Sequence, residues 1–330
     1  MSPPPGDGVS CLSFSPKSLP GDYLAAGSWD GQLRCYEVAC APHQPNHINS
    51  NLKLSLPHEQ PVLCTGWHSE GRHLFTGSCD KTARMWDLAT QQQTQVAVHQ
   101  EPIKHLFWAS SIGCLVTGSW DRSVKYWDAR SPNPQATLSL TERIYAMDVQ
   151  DYLMVVGTAD KKIHIVDLRK PTEIYKQVVT PLKYQIRCVS CFPDQKGYLV
   201  GSIEGRVAVQ HVQDDMFEKN FTFKCHRVNQ GTTSDIYAVN AISFHPVQGT
   251  FATAGGDGSF NFWDKDVKQR LNAFPKHDQS ISCGIFNKDG SIYAYSTSYD
   301  WSKGAEYAKP GTPNNVFLHA VQDECRAKKR

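Results

Sequence analysis

A chain of 330 residues with 40% hydrophobic and 11% aromatic side chains can bury a large core, which excludes a disordered polymer. Its apolar runs fall far short of the roughly 20 residues that a membrane-spanning helix needs, and the opening MSPPPGDG lacks the basic-then-apolar order of a signal segment. A net charge of +2 decides nothing about nucleic acid, and 11 cysteines scattered through apolar segments suit buried, reduced thiols inside a cell better than a disulfide framework.

In chain order the predicted elements are short alternating strands that recur as one unit. GSWDGQLRCYEV at 27–38 is followed by GSCDKTARMWDL at 77–88 and GSWDRSVKYWDA at 118–129. Aligned on the acid of this turn, the chain yields seven units, at Asp30, Asp80, Asp121, Asp160, Glu204, Asp257 and Asp300. The spacings of 50, 41, 39, 44, 53 and 43 residues match propeller blades rather than a helical solenoid. Six residues after the acid stand Tyr36, Trp86, Trp127, Val166, Gln210 and Trp263, so the signature decays toward the middle of the chain. Within the third unit, PIKHLFWA, CLVTGSWD, SVKYWDA and QATLSL read as four antiparallel strands with period-2 patterning and turn residues between them.

A lone four-stranded sheet cannot cover both faces, whereas radial stacking can. The predicted fold is therefore an all-β, seven-bladed WD-repeat β-propeller forming a single domain. Its blades are placed at roughly 9–56, 61–98, 102–140, 144–180, 186–227, 237–275 and 280–321, followed by a basic tail at 322–330. His58, Ser78, Asp80 and Trp86 in blade two, and His99, Ser119, Asp121 and Trp127 in blade three, resemble a catalytic set but sit at structural positions of the repeat. With no phosphate loop, no nucleophile motif and no metal-ligand set, the chain reads as a non-enzyme without cofactor or metal. The lone CxxC, Cys188 and Cys191, lies in an alternating strand context, RCVSCF, that disfavours zinc or redox chemistry.

Departures from the repeat carry the functional information. The residue before each turn acid is Trp29, Cys79, Trp120, Ala159, Ile203, Gly256 or Tyr299, all on one face around a central channel. Aromatics at such a rim favour a binding surface, with Trp29 as its anchor and Trp120 and Tyr299 as further contacts. Arg206 follows the fifth turn, and Arg227 is placed at the end of that blade's last strand (FTFKCHR), on the same face. Arginines beside aromatics suit an acidic peptide, the alternative being that they pair with local acids.

LSFSPKSLPGDYLAAGSWD, FTGSCDKTARMWDL, TGSWDRSVKYWD, GSIEGRVAV, FTFKCHR, DIYAVNAISFHP and SYDWSKG resemble the nuclear-pore mRNA export factor of the Rae/Gle type, from about residue 9 to residue 320. EGRVAV and KCHR are shared with the related Bub-type mitotic-checkpoint propeller, while YDWSKG and TGSWDRSVKYWD look like the export factor. The resemblance implies a nuclear, pore-associated shuttling adaptor, monomeric within a heterodimer and without membrane insertion. Its partner would be a short acidic motif of a phenylalanine-glycine nucleoporin, held at Trp29, Arg206 and Arg227. It also implies contact with single-stranded RNA near DWSKG, through Trp301 as stacking ring and Lys303 as phosphate partner. The basic tail RAKKR at 326–330 adds little, since a terminal charge run is usually solvated. The competing function is a checkpoint adaptor that binds a kinase's related motif at kinetochores.

In the resembled family an N-terminal segment supplies the outer strand of the last blade. Here the proline-rich MSPPPGDG suits a strand poorly, so closure is expected either from residues after Val321 or with blade seven left three-stranded. CAPHQPNHINSN at 40–51 reads as a surface loop with solvated histidines.

Overall fold

The computed structural model describes residues 1–41, 44–309 and 311–327, and arranges them as seven antiparallel sheets around one axis. Six sheets have four strands and the last has three, with an added two-stranded ribbon between the fifth and sixth. The first strands of the blades are Val9–Phe14, Val62–Trp67, Ile103–Ala109, Ile144–Gln150, Ile186–Cys191, Val239–Phe244 and Ile281–Phe286. Each touches the first strand of the next blade, and Ile281–Phe286 touches Val9–Phe14, so these strands line the channel and close the ring. No helix of the described residues is long and apolar enough to cross a membrane.

The turn glycine shows why the repeat is written as it is. A Cβ on Gly77 would come within 2.8 Å of the Ile103 side chain in the next blade and 2.6 Å of Cys64 Sγ. Gly27 is crowded in the same way by Val62 and Cys11, so glycine lets a β-branched residue of the neighbouring blade pack against the turn. Those residues, Val62 and Ile103, are fully buried.

One irregularity repeats in all seven blades. Where the first strand meets the second, the register shifts and one residue is left without a pairing partner. The bulged residues are Ser10 and Leu63 in blades one and two, Lys104 and Tyr145 in three and four, Arg187 in five, and Asn240 and Ser282 in six and seven. All seven line the central channel, at the end where the GSxD-type turns lie. A bulge re-aims a side chain, and here it does so in a ring.

The hydrogen-bond network inside the blades differs from expectation in its hydroxyl. In blade three, Trp127 Nε1 donates to Thr117 Oγ1 at 2.8 Å, Thr117 Oγ1 meets His99 Nε2 at 2.7 Å, and His99 Nδ1 meets Asp121 Oδ2 at 2.8 Å. The expected Ser119 instead donates to the Glu101 carbonyl at 2.9 Å. Blade two repeats this with Trp86, Thr76 and His58, and its Ser78 also turns to backbone carbonyls, of Gln60 and Pro61. The hydroxyl must sit between the indole and the imidazole, and a threonine in mid-strand reaches both while the serine at the strand end does not. A third set, Trp263, Thr253, His226 and Asp257, completes blade six, its histidine lying in the KCHR stretch.

Buried histidines of this kind make the fold acid-sensitive. Burial lowers the His99 pKa, with Asp121 opposing less strongly. Burial and the Lys104 charge push His105 down to about 3 against its bond to the Tyr145 carbonyl. A histidine depressed in the folded state contributes stability above its unfolded pKa of about 6.5, and that stability is lost as pH falls below it. For Asp80, burial pushes the carboxyl up, but the His58 imidazole 3.8 Å away, the bonds from Thr82 and the Arg84 charge outweigh it and hold the group at about 2. Its contribution is present above about pH 4 and is lost as pH falls toward 2. Denaturant midpoints are therefore expected to decline in two stages on acidification, and His105→Gln to flatten the stage between pH 6.5 and 3; an unchanged slope in that variant would contradict the assignment.

Two expectations are corrected, and a third is decided between its two alternatives. Within the segment at 40–51, residues 40–41 and 44–51 are strand rather than loop: Gln32–Ala41 and Gln44–Pro57 pair from Gln32 opposite Pro57 outward to Ala41 opposite Gln44. Leu54 and Leu56 alternate on the face turned to blade two, while a register shift at Lys53 turns Leu52 to the other face, where it joins Ile48 on the cluster shared with blade seven. His47 is exposed, while His43 lies outside the described residues. Second, Arg227 does not end blade five, whose last strand stops at Lys224; it begins the added ribbon, in which Arg227–Gln230 pairs with Thr233–Ile236. Third, of the two ways offered for blade seven, the three-stranded sheet is the one found. Residues 322–327 include a turn, Asp323–Cys325, whose Cys325 is buried in the cluster between blades six and seven, with Thr250 Oγ1 donating to the Cys325 carbonyl at 2.7 Å. At the other end of the chain, the Met1 ammonium donates to the Val316 carbonyl of the last strand at 2.8 Å.

Cys188 and Cys191 share strand Ile186–Cys191 but face different neighbours. Cys188 Sγ donates to the Val239 carbonyl of blade six and Cys191 Sγ to the Asp148 carbonyl of blade four, so the pair does not converge on one point.

Candidate functional site

The face that carries the seven turns opens into a central cavity of about 830 Å³. Trp29, Trp120, Tyr299 and Trp301 all line it, so four of the residues singled out in the sequence share one mouth. Trp29 is 41% exposed although its backbone N–H is fixed to the Gly8 carbonyl at 2.9 Å. The neighbouring Asp30 anchors the turn by accepting from Ser28 Oγ, Gln32 N at 2.9 Å and Arg34 Nη2 at 2.8 Å. Burial raises the Asp30 pKa, but the Arg34 and Ser28 bonds win and hold it low, so the turn stays ionised. The indole is thus presented by a rigid turn without being needed for it.

Blade seven presents the other aromatics through a tighter device. Tyr299 Oη donates to the Gly304 carbonyl at 2.8 Å and accepts from Lys303 N at 3.1 Å, tying the SYDWSKG loop to one hydroxyl. Trp301 sits in the left-handed region at φ 59°, 50% exposed, with its ring 5.7 Å from that of Tyr299. The same left-handed conformation recurs after every turn acid, at Gly31, Lys81, Arg122, Lys161, Gly205 and Gly258, so the turn of the repeat itself presents the Trp301 ring to solvent. Lys303 Nζ lies 5.8 Å over the Tyr307 ring.

Arg206 and Arg227 converge on the fifth turn, outside the cavity wall. Arg227 Nη2 donates to the Glu204 carbonyl at 2.7 Å and Nε to the Gly205 carbonyl at 3.4 Å. Gly205 has φ 59°, and a Cβ there would stand 2.7 Å from the Cys225 carbonyl, so only glycine fits between strand and ribbon. Arg206 Nε lies 3.6 Å from Glu204 Oε2, which is the local pairing weighed for it in the sequence. The Arg227 guanidinium is held by carbonyls, which orient it without neutralising it. Trp29, in blade one, is not in contact with this pair, so a ligand that used all three would have to lie across the channel mouth.

Sequence reasoning missed the ring of bulged residues below these aromatics. Its signal is a buried Val or Ile, then a variable residue, then a small residue or histidine, as in VSC, VLC, IKH, IRC and ISC at the start of each first strand.

Comparison with known proteins places the chain. The WD domain, G-beta repeat family matches residues 4–37, 50–87, 90–128 and 218–264, the last three of which hold the three Trp–Thr–His networks. Protein RAE1 of Arabidopsis thaliana is 55% identical over 333 residues, covering 100% of this chain and 93% of the relative. The chain belongs to the Rae1/Gle2-type mRNA export factor family. The Schizosaccharomyces pombe Poly(A)+ RNA export protein is 43% identical and the Chaetomium thermophilum mRNA export factor GLE2 is 45% identical, each over 99% of this chain and 91% of the relative. For this Rae1/Gle2-type chain the WD-type signatures lie in blades one, two, three and six, while Arg206 follows the turn of blade five, Arg227 begins the ribbon after it, and the Trp301 loop follows the turn of blade seven.

Proposed function

We propose that this chain is a non-enzymatic mRNA export adaptor of the nucleus and nuclear pore, which binds a short acidic motif of a phenylalanine-glycine nucleoporin across its upper face. The observation that carries the reading is the pairing of exposed aromatics at the channel mouth with Arg227, a cation oriented by two carbonyls and lacking a carboxylate among the described residues. Aromatic anchors beside a preorganised arginine fit a peptide with glutamates near its centre, because the rings gain from burial and the guanidinium from a bidentate carboxylate. The names of the relatives, export factors in a fungus and Poly(A)+ RNA export in a yeast, supply the process.

Trp301 and Lys303, on the same rim, form the contact for single-stranded RNA in this reading, the ring stacking on a base and the ammonium meeting a phosphate. The adaptor works as a monomer paired with its nucleoporin and shuttles with its cargo. Titrating a synthetic peptide of the acidic motif into the purified chain is expected to give one saturable site that weakens with added salt. A peptide whose glutamates are replaced by glutamine should bind far more weakly; equal binding of the two peptides would remove the role given to the arginines.

A further inference from the structure

The outer strand of blade six, Gln269–Ala273, and the segments at its two ends carry cations that lie over aromatic rings. Lys268 Nζ stands 4.8 Å from the centre of the Phe221 ring, the Arg270 guanidinium 5.9 Å from that of Trp263, and Lys276 Nζ 5.8 Å from that of Tyr237. Toward the lower end the rings are contiguous, with Phe223 4.6 Å from Trp263 and 6.2 Å from Phe221. Phe221 and Phe223 belong to the last strand of blade five, so the series follows the seam between blades five and six on the outside of the ring. Tyr237, at its upper end, directly follows the ribbon that Arg227 opens.

The charge along this seam is one-sided. Residues 265–277 hold four lysines and arginines and one acid, Asp266. Lys265 engages Asp266 at 2.9 Å, and Lys276 shares Asp257 with His226, at 3.8 and 2.8 Å. Among the described residues the exposed Lys268 and Arg270 have no carboxylate within ion-pair distance, and that includes Asp215 and Glu218, exposed on the turn before Phe221. A ring beneath a cation holds it in place, so less freedom is lost when an anion arrives.

We propose that the seam between blades five and six, with Lys268, Arg270 and Lys276, is a binding track for single-stranded RNA. The cations meet backbone phosphates, and the half-buried Phe221, Phe223 and Trp263 offer their remaining surface to bases. From residue 268 to residue 276 an extended chain reaches up to roughly 28 Å. Cation–ring pairs repeated over that length suit a chain that carries charge at every unit, as RNA does and a motif with one or two glutamates does not. The inference rests on the reading that the chain contacts RNA, and it adds a surface apart from Trp301 and Lys303 in blade seven.

The test is fluorescence anisotropy of a labelled oligouridylate, about 15 nucleotides long, with the purified, full-length chain over a series of salt concentrations. A double variant, Lys268→Gln with Arg270→Gln, is expected to bind about tenfold or more weakly. Its slope of log affinity against log salt should be shallower by about 1.4, the contribution of two phosphate contacts to a single strand. Lys17→Gln, which alters an exposed lysine of blade one, should bind as the parent does. All three positions are exposed, so thermal melts should match the parent's. Affinity and salt slope retained in full by the double variant would overturn the track, and RNA binding then lost in Lys303→Gln would leave the contact at blade seven standing. A parent that binds no oligouridylate would overturn both. A double variant that keeps RNA but loses the acidic peptide would overturn the track and give the seam to the peptide.

Discussion

Replacing Trp127 by alanine is expected to lower the unfolding free energy by about 3–5 kcal/mol, read as a fall in the urea midpoint with little change in slope. The indole is 2% exposed and packs with Phe75, Ile103 and Leu115 between blades two and three, so its removal leaves a cavity that neighbouring strands are too constrained to fill. Its Nε1–H is also the donor that completes the Thr117, His99 and Asp121 chain. Trp127→Phe separates the two contributions: it keeps most of the packing but removes the donor to Thr117, and about 1–2 kcal/mol should be lost. A loss below 1 kcal/mol for the alanine variant would show that the network is ornamental and that backbone pairing alone holds the blade.

Trp29→Ala should act the opposite way, sparing stability and removing function. Its turn is secured by Asp30, Arg34 and backbone bonds that the substitution leaves intact, so the Tm should stay that of the parent. Affinity for the acidic peptide should fall by about 2 kcal/mol or more, roughly 30-fold. Arg227 needs a gentler probe, since Arg227→Ala also frees the Glu204 carbonyl; Arg227→Lys keeps the charge while losing the fork. Unchanged peptide affinity in Trp29→Ala would place the peptide on another surface.

The radial arrangement was legible because it is written in repeats: the turn glycine recurs at Gly27, Gly77, Gly118, Gly157 and Gly201, where a Val or Ile of the neighbouring blade packs against the missing Cβ. The aromatics at the channel mouth were legible for the same reason, since a residue before the turn acid has nowhere to point but the rim. What escaped depended on pairing rather than on pattern. Thr117 replaced Ser119 as the network hydroxyl because reach across the strand decides it, and both residues read alike in sequence. Arg227 moved from the end of blade five to the added ribbon because KCHR continues an alternating pattern through a turn, in which His226 takes φ 45°. The segment at 40–51 looked like a loop because its proline, asparagine and histidine content hid the strand, and the register shift at Lys53 breaks the alternation of Leu54 and Leu56 before Leu52. The ring of bulged residues was visible as a recurring Val/Ile–x–small triplet, but only the register shift shows that the middle residue faces the channel.

The central claim is that the upper face holds a nucleoporin, and it is tested most directly by capturing the tagged chain and its Trp29→Ala variant from their own cells and identifying the co-purifying chains by mass spectrometry. The account predicts a phenylalanine-glycine nucleoporin as the dominant partner of the parent and its loss from the variant. A checkpoint kinase in place of any nucleoporin, or a nucleoporin retained in full by Trp29→Ala, would contradict it.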